Sequence, residues 1–345
     1  MTMSIIITNT TIHRRFKSFV KWVAPEKGTR DNIKNQADEI KKRITTKAED
    51  DGRTVNSTPF SGSYSKESGL RRYMRGDSVE EGQDIDIAFI MEPKDKDGNM
   101  MGCQVEKFKQ YAKESYPDSE VSKTKSSATI KFTGSKLKYD LVPLFETGRK
   151  DIQLLKRTNG EERTTSVVKH AEFIKDRKKS SDALEGVVKF NECLRLVKWW
   201  RTEQQEHSSV FGNNEDDEKV PSFLLDLLCA HAYDVRSVDK TYPATLAMWF
   251  GYLANVVRNR KDVIFNSSTS VATNGALWKV IDPIDKSNNV VAKWSGVKIN
   301  ELARWFEDTR DELNSAIRYD EAGEDNASLE SLVKIFGNAF KHNCD

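Results

Sequence analysis

Apolar residues recur along this chain with two different periods, and the change of period divides it. Ile12, Phe16, Phe19, Val20 and Val23 recur at helical spacing over residues 11–24, and Pro25 and Gly28 end that run. A second helix is predicted over residues 32–44, with an apolar stripe narrow enough to pack along a long axis. Residues 50–165 read as strand-rich. Apolar residues alternate with polar ones over residues 84–91, 128–133 and 138–144, which predicts strands, and a helix is predicted over 105–116 between the first two. Residues 70–83 read as a charged, glycine-containing loop, and 92–102 as a turn rich in Lys, Asp and Gly. From about residue 166 the period becomes helical again. Val187, Phe190, Leu194, Val197 and Trp200 form one stripe, and Ile299, Leu302, Phe306, Leu313 and Ile317 another. Between them a helix begins near residue 221, with Ser222 as its expected N-cap. The order of elements predicts an α+β core followed by a helical domain.

Composition adds bounds rather than detail. The 345 residues suggest about two domains. A net charge of +2 gives no global basic signal for a nucleic-acid partner. The four cysteines, Cys103, Cys193, Cys229 and Cys344, are scattered, which reads as reduced thiols in a cytosolic protein. The short apolar run near the N-terminus lacks a basic leader, and no segment reaches about 18 apolar residues, so neither a signal peptide nor a membrane span is expected. The expected location is cytoplasmic. The acidic run at residues 215–218 reads as a surface loop, and the basic cluster Lys175, Arg177, Lys178 and Lys179 as a solvated helix face.

Candidate chemistry lies in the strand-rich region. Side chains alternate across a strand, so Asp84 and Asp86 point one way while Ile85, Ile87 and Phe89 point the other. A third aspartate, Asp140, stands in the apolar segment Tyr139-Asp140-Leu141-Val142-Pro143. Carboxylates gathered on a half-buried face favour a divalent cation, and an oxygen-only donor set suits Mg²⁺. Two such ions about 4 Å apart are what nucleotidyl transfer uses. Upstream, Gly62-Ser63 offers a close backbone approach and a hydroxyl for terminal phosphates, although a Gly-Ser pair alone is also an ordinary turn. Arg195, Lys198 and Arg201 recur every three residues, either as a solvated basic stripe or with Lys198 reaching a triphosphate. Asp282-Pro283-Ile284-Asp285 with Asn288-Asn289 reads as a structural turn.

These motifs resemble a family. Gly62-Ser63, Asp84-x-Asp86 and Asp140 are similar to the signature of polymerase β-like nucleotidyltransferases. Residues 196–200, 221–228 and 281–290 resemble the helical domain of oligoadenylate synthases. Over residues 11–340 the chain resembles the CD-NTases, cyclic-oligonucleotide synthases of bacterial anti-phage (CBASS) systems. Residues 165–175 resemble the variants that act with HORMA-domain partners and tend to make cyclic trinucleotides.

The resemblance implies N-terminal helices over residues 1–48, one of them long and bridging two lobes. It places a nucleotidyltransferase core with a mixed sheet at 49–165 and a helical domain closing a nucleotide cleft at 166–345. Asp84, Asp86 and Asp140 would hold two Mg²⁺ ions, with Mn²⁺ as a substitute. Gly62, Ser63, Gln83, Lys198 and Ser222 would contact nucleotide. The implied reaction joins nucleoside triphosphates, ATP among them, into a cyclic di- or trinucleotide messenger with release of pyrophosphate. The implied partners are a HORMA-domain or other activating protein, and an effector that binds the product. Double-stranded DNA is not indicated, and no membrane is expected. Two other readings stay open: a template-independent transferase making linear oligoadenylate or extending RNA, and an inactive nucleotide-binding scaffold. The chain departs from its relatives at Lys66-Glu67-Ser68-Gly69, where many have Gly-Thr, and in a longer segment from Arg72 to Gln83.

Overall fold

A computed structural model of the chain describes residues 10–26, 28–75, 78–211, 219–265 and 275–344. In chain order the first elements are α1 (Thr11–Val23), α2 (Thr29–Asp50), β1 (Val55–Ser57), β2 (Phe60–Ser61), α3 (Gly62–Ser65), β3 (Arg72–Arg75), β4 (Ser78–Glu81) and β5 (Gln83–Met91). Then come α4 (Val105–Ser115), β6 (Glu120–Lys123), β7 (Ala128–Phe132), β8 (Leu137–Glu146), β9 (Gln153–Lys156) and β10 (Glu162–Thr165). The remainder is helical: α5 (Val167–Asp182), α6 (Phe190–Glu206), α7 (Ser222–Arg236), α8 (Tyr242–Arg258), α9 (Gly296–Glu321) and α10 (Asp325–Asn343). The acidic run at 215–218 lies outside the described residues. No described helix is long and apolar enough to cross a membrane.

The chain forms two compact units. One comprises Pro25–Arg71 and Glu81–Lys175; the other comprises Met1–Ala24, Arg72–Glu80 and Asp176–Asp345. The segments expected at 1–48, 49–165 and 166–345 follow sequence order, whereas these units are discontinuous.

The first unit is built on a mixed sheet. Its path runs β1-β5-β8-β7-β6, with β2 also on β5, and β9 and β10 added beyond β8. β5 and β8 are parallel, and their neighbours are antiparallel. One face carries the main core. Ile85, Ile87, Phe89 and Met91 of β5 pack with Tyr139, Leu141 and Phe145 of β8, and α2 and α4 cover them with Ile40, Ile44, Phe108 and Ala112. Tyr139 ties helix to strand, its hydroxyl donating to the Ile33 carbonyl and to Gln36 Oε1, each at 3.2 Å. The opposite face is apolar only toward one end, where Ala88, Ile90, Leu144 and Val167 form a smaller cluster. Its other end bears Asp84, Asp86 and Asp140.

The second unit is a helical assembly with an aromatic interior. Phe16 and Phe19 of α1 meet Trp199, Phe336 and Phe340, and Trp200 stacks on Phe306 while its indole N–H donates to Thr309 Oγ1 at 2.8 Å. The segment expected as a loop over 70–83 is instead the β3–β4 hairpin, joined by Tyr73 Oη donating to Glu80 at 3.1 Å. Its strands, Arg-Tyr-Met-Arg and Ser-Val-Glu-Glu, do not alternate polar with apolar residues and are only four residues long, so no strand period stands out. α6 starts at Phe190, so Val187 precedes it, and α2 runs longer than expected because Ala48 continues its buried stripe.

Candidate active site

The carboxylates are assembled by register. Asp86 lies opposite Asp140 across the parallel β5–β8 pair, and Asp84 lies opposite Lys138. Ser61 pairs with Asp86 on one side, and Thr129 of β7 pairs with Asp140 on the other. One row across the sheet therefore reads Ser61, Asp86, Asp140, Thr129. Strand pleating turns Asp84, Asp86, Lys138, Asp140 and Thr129 toward the same face.

Gly62 follows directly at the start of α3. Its φ is +57°, and a Cβ there would lie 1.8 Å from Asp86 Oδ2. Only glycine fits this approach, so the Gly-Ser turn and the strand carboxylate form one structural feature. Ser63 is half-buried in α3.

The electrostatics are those of crowded like charges. Burial pushes the Asp86 carboxyl up to about 7, with Asp140 and then Asp84 adding to the rise. Two cations oppose it. Lys66 is only 8% exposed, and Lys138 is the other. Lys138 Nζ stands 3.7 Å from Asp84 Oδ1 and 3.6 Å from Asp140 Oδ2. Asp140 Oδ1 accepts a short hydrogen bond from Thr129 Oγ1. Among the described residues no three His, Cys, Asp or Glu side chains stand close enough together to enclose an ion. The expected trio shares one face, and Lys138 Nζ stands between Asp84 Oδ1 and Asp140 Oδ2.

Other expected residues lie elsewhere. Gln83 is buried and belongs to the face of β5 opposite the carboxylates, with its amide nitrogen near Gly69. Strand alternation requires this, since Gln83 is one residue from Asp84. Lys198 is 4% exposed and bonds Asp226 Oδ1 at 2.8 Å within the helical unit. The expected polar side of α6 is thus largely core, because Leu196, Val197, Trp199 and Trp200 are buried around that lysine. Ser222 is the first residue of α7, and Pro221 is the N-cap; the Ser222 hydroxyl accepts from Arg201 Nη2 at 3.2 Å instead of capping. Arg177 reaches Asp234, Lys178 reaches Asp182 and Lys179 reaches Asp176, so these three members of the basic cluster are engaged in ion pairs. Asp282 and Asn289 are buried and bonded to their own loop, which accords with the structural reading of that turn.

Sequence reasoning passed over Thr129, Lys138 and Lys66. Lys138 was legible in principle, since it shares strand parity with Asp140, whereas Thr129 meets Asp140 only through the pairing of β7 with β8. That register was not legible.

Comparison with known proteins places this geometry. Residues 10–177 match the model of the Second Messenger Oligonucleotide or Dinucleotide Synthetase domain. The chain is 24% identical over 275 residues to a cyclic AMP-AMP-AMP synthase of Escherichia coli (strain MS 115-1), covering 77% of this chain and 80% of that protein. It is 23% identical over 305 residues to the CBASS oligonucleotide cyclase CdnC of Escherichia coli (strain KTE188), covering 86% and 88%. Its fold is that of E. coli MS115-1 CdnC solved with ATP, at a TM-score of 0.74, 22% identity and coverage of 96% and 99%. It is also that of the Bradyrhizobium diazoefficiens CD-NTase CdnG in complex with GTP, at a TM-score of 0.70, 15% identity and coverage of 97% and 96%. Over residues 10–177, just under half of its length, the chain is thus similar to the Second Messenger Oligonucleotide or Dinucleotide Synthetase domain.

Proposed function

We propose that the protein joins nucleoside triphosphates, ATP among them, into a cyclic oligonucleotide, with a trinucleotide as the favoured product. The carrying observation is the pairing of Asp86 with Asp140 beside Gly62, which presents carboxylates and a phosphate-binding turn on one sheet face. The relatives named cyclic AMP-AMP-AMP synthase and CdnC support the reaction class, and a structure of E. coli MS115-1 CdnC with a HORMA protein supports an activating partner of that kind. The relative named a CBASS oligonucleotide cyclase supports CBASS anti-phage signalling as the setting, and a cytoplasmic location is part of the same proposal.

The residues fit Mg²⁺. Asp84, Asp86 and Asp140 offer only oxygen donors on one sheet face, with Asp86 directly opposite Asp140. Bound there, Mg²⁺ would neutralise triphosphate charge and acidify the attacking ribose hydroxyl. The remaining work belongs to the chain. Gly62 admits the phosphates close to the backbone, and the Ser63 hydroxyl donates to them. Asp140, held through Oδ1 by Thr129, accepts the ribose proton. Attack on the α-phosphorus forms the new P–O bond as the bond to pyrophosphate breaks. In the last step the terminal ribose hydroxyl of the linear intermediate attacks the α-phosphorus of its own triphosphate, which closes the ring and releases the final pyrophosphate.

The test is incubation with all four nucleoside triphosphates and Mg²⁺, with and without a HORMA-domain partner, followed by mass spectrometry. Cyclic products lost in Asp84→Ala and Asp86→Ala are expected. Linear oligoadenylate alone, extension of added RNA, or no turnover under either condition would overturn the reading.

A further inference from the structure

The ammonium in the middle of the acidic face needs an explanation. Lys138 and Asp140 are two residues apart on β8 and so point the same way. Register then sets Lys138 opposite Asp84 and Asp140 opposite Asp86, which makes a rectangle of three carboxylates and one ammonium. The lysine stem has little alternative, because the strand directs it onto this face.

We propose that Lys138 is the resident counter-ion of the metal-free site, competing with the divalent cation for Asp84 and Asp140 and so setting the metal concentration at which the site fills. This rests on the reading of the three carboxylates as metal ligands. At 3.7 and 3.6 Å, its contacts to Asp84 Oδ1 and Asp140 Oδ2 are ion pairs longer than hydrogen bonds. Lys138 is 36% exposed, so it has solvent to move into. A divalent ion held by Asp84 and Asp140 would stand close to the ammonium, and like charges at close range repel. Metal on those two oxygens and Lys138 between them therefore exclude one another. Lys138 also gives the acidic face a partner at low metal, which limits the repulsion between the carboxylates of the central β5–β8 pair.

The experiment is a thermal-shift titration of the full-length protein with Mn²⁺ and no nucleotide. The proteins are wild type, Lys138→Met, Lys138→Gln, Lys138→Arg and Asp86→Asn. Lys138→Met and Lys138→Gln are expected to reach half-maximal shift at about five- to tenfold lower Mn²⁺ than wild type, starting from a lower metal-free Tm. Lys138→Arg, which keeps the charge, is expected to stay near wild type. An unchanged or higher Mn²⁺ midpoint in both neutral variants would overturn the competition while leaving the metal site standing. If wild type shows no Mn²⁺-dependent shift and Asp86→Asn behaves identically, the metal reading fails and the inference with it.

Discussion

At the scale of single residues, charge balance dominates. Asp86 has a folded-state carboxyl pushed up to about 7, against an ordinary value of 3.8. Between those two values the folded protein holds a proton that the unfolded chain has released, so this group's contribution to stability falls as pH rises from about 4 to about 7. Asp86→Asn is therefore expected to raise the metal-free Tm, by more at pH 8 than at pH 5, while abolishing synthesis. Calorimetry at the two pH values, paired with a product assay, measures this; an equal or lower Tm at pH 8 would count against the crowding. Thr129 works through another residue. Its hydroxyl fixes one oxygen of Asp140, and Thr129→Val keeps the shape while removing the donor. The expected outcome is a fall in kcat of about tenfold or more with KM for ATP little changed. Thr129→Ser should restore most of it, which a purely packing role would not predict.

At the scale of elements, the alternating strands were the most legible part. Ile85, Ile87 and Phe89 opposite Asp84 and Asp86 declared one wet and one dry face, and both faces are found. The β3–β4 hairpin was not legible, because four-residue strands bearing Arg, Ser and Glu carry almost no period. α10 shows a different limit. It is kinked at Gly337, where φ is +75°. α6 fills the break: Trp199 Nε1 donates to the Phe336 carbonyl at 3.0 Å, and Gln204 Nε2 to the Ile335 carbonyl at 3.1 Å. A Cβ at Gly337 would meet the Glu203 carboxylate at 2.2 Å. Gly337→Ala is accordingly expected to cost about 2 kcal/mol or more, lowering Tm by roughly 5 °C with the carboxylates of β5 and β8 untouched. Thermal denaturation of that variant checks it, and a Tm within 1 °C of wild type, on the order of experimental scatter, would contradict it.

At the scale of the whole molecule, the question is what Lys198 does. In the helical unit it is buried against Asp226, so a loss of activity in Lys198→Met alone would be ambiguous. Removing one partner of such a pair leaves a buried charge and is expected to cost about 3–5 kcal/mol, whereas Lys198→Met with Asp226→Leu should recover most of that. Activity measured in the restabilised double variant then separates the two roles: restored synthesis makes Lys198 structural, and persistent loss with normal Tm gives it to the triphosphate. The sequence by itself determined the helix and strand periods, the two-faced strand with its aspartates, and the Gly-Ser turn, because these are local patterns of spacing and residue type. Only the tertiary structure decided that Asp86 faces Asp140, that Thr129 and Lys138 complete their surroundings, that Gln83 turns to the other side and that Lys198 is buried. Those facts depend on strand register and on which helix faces meet, and pairing between segments distant in the chain leaves no trace in the spacing of residues within either one.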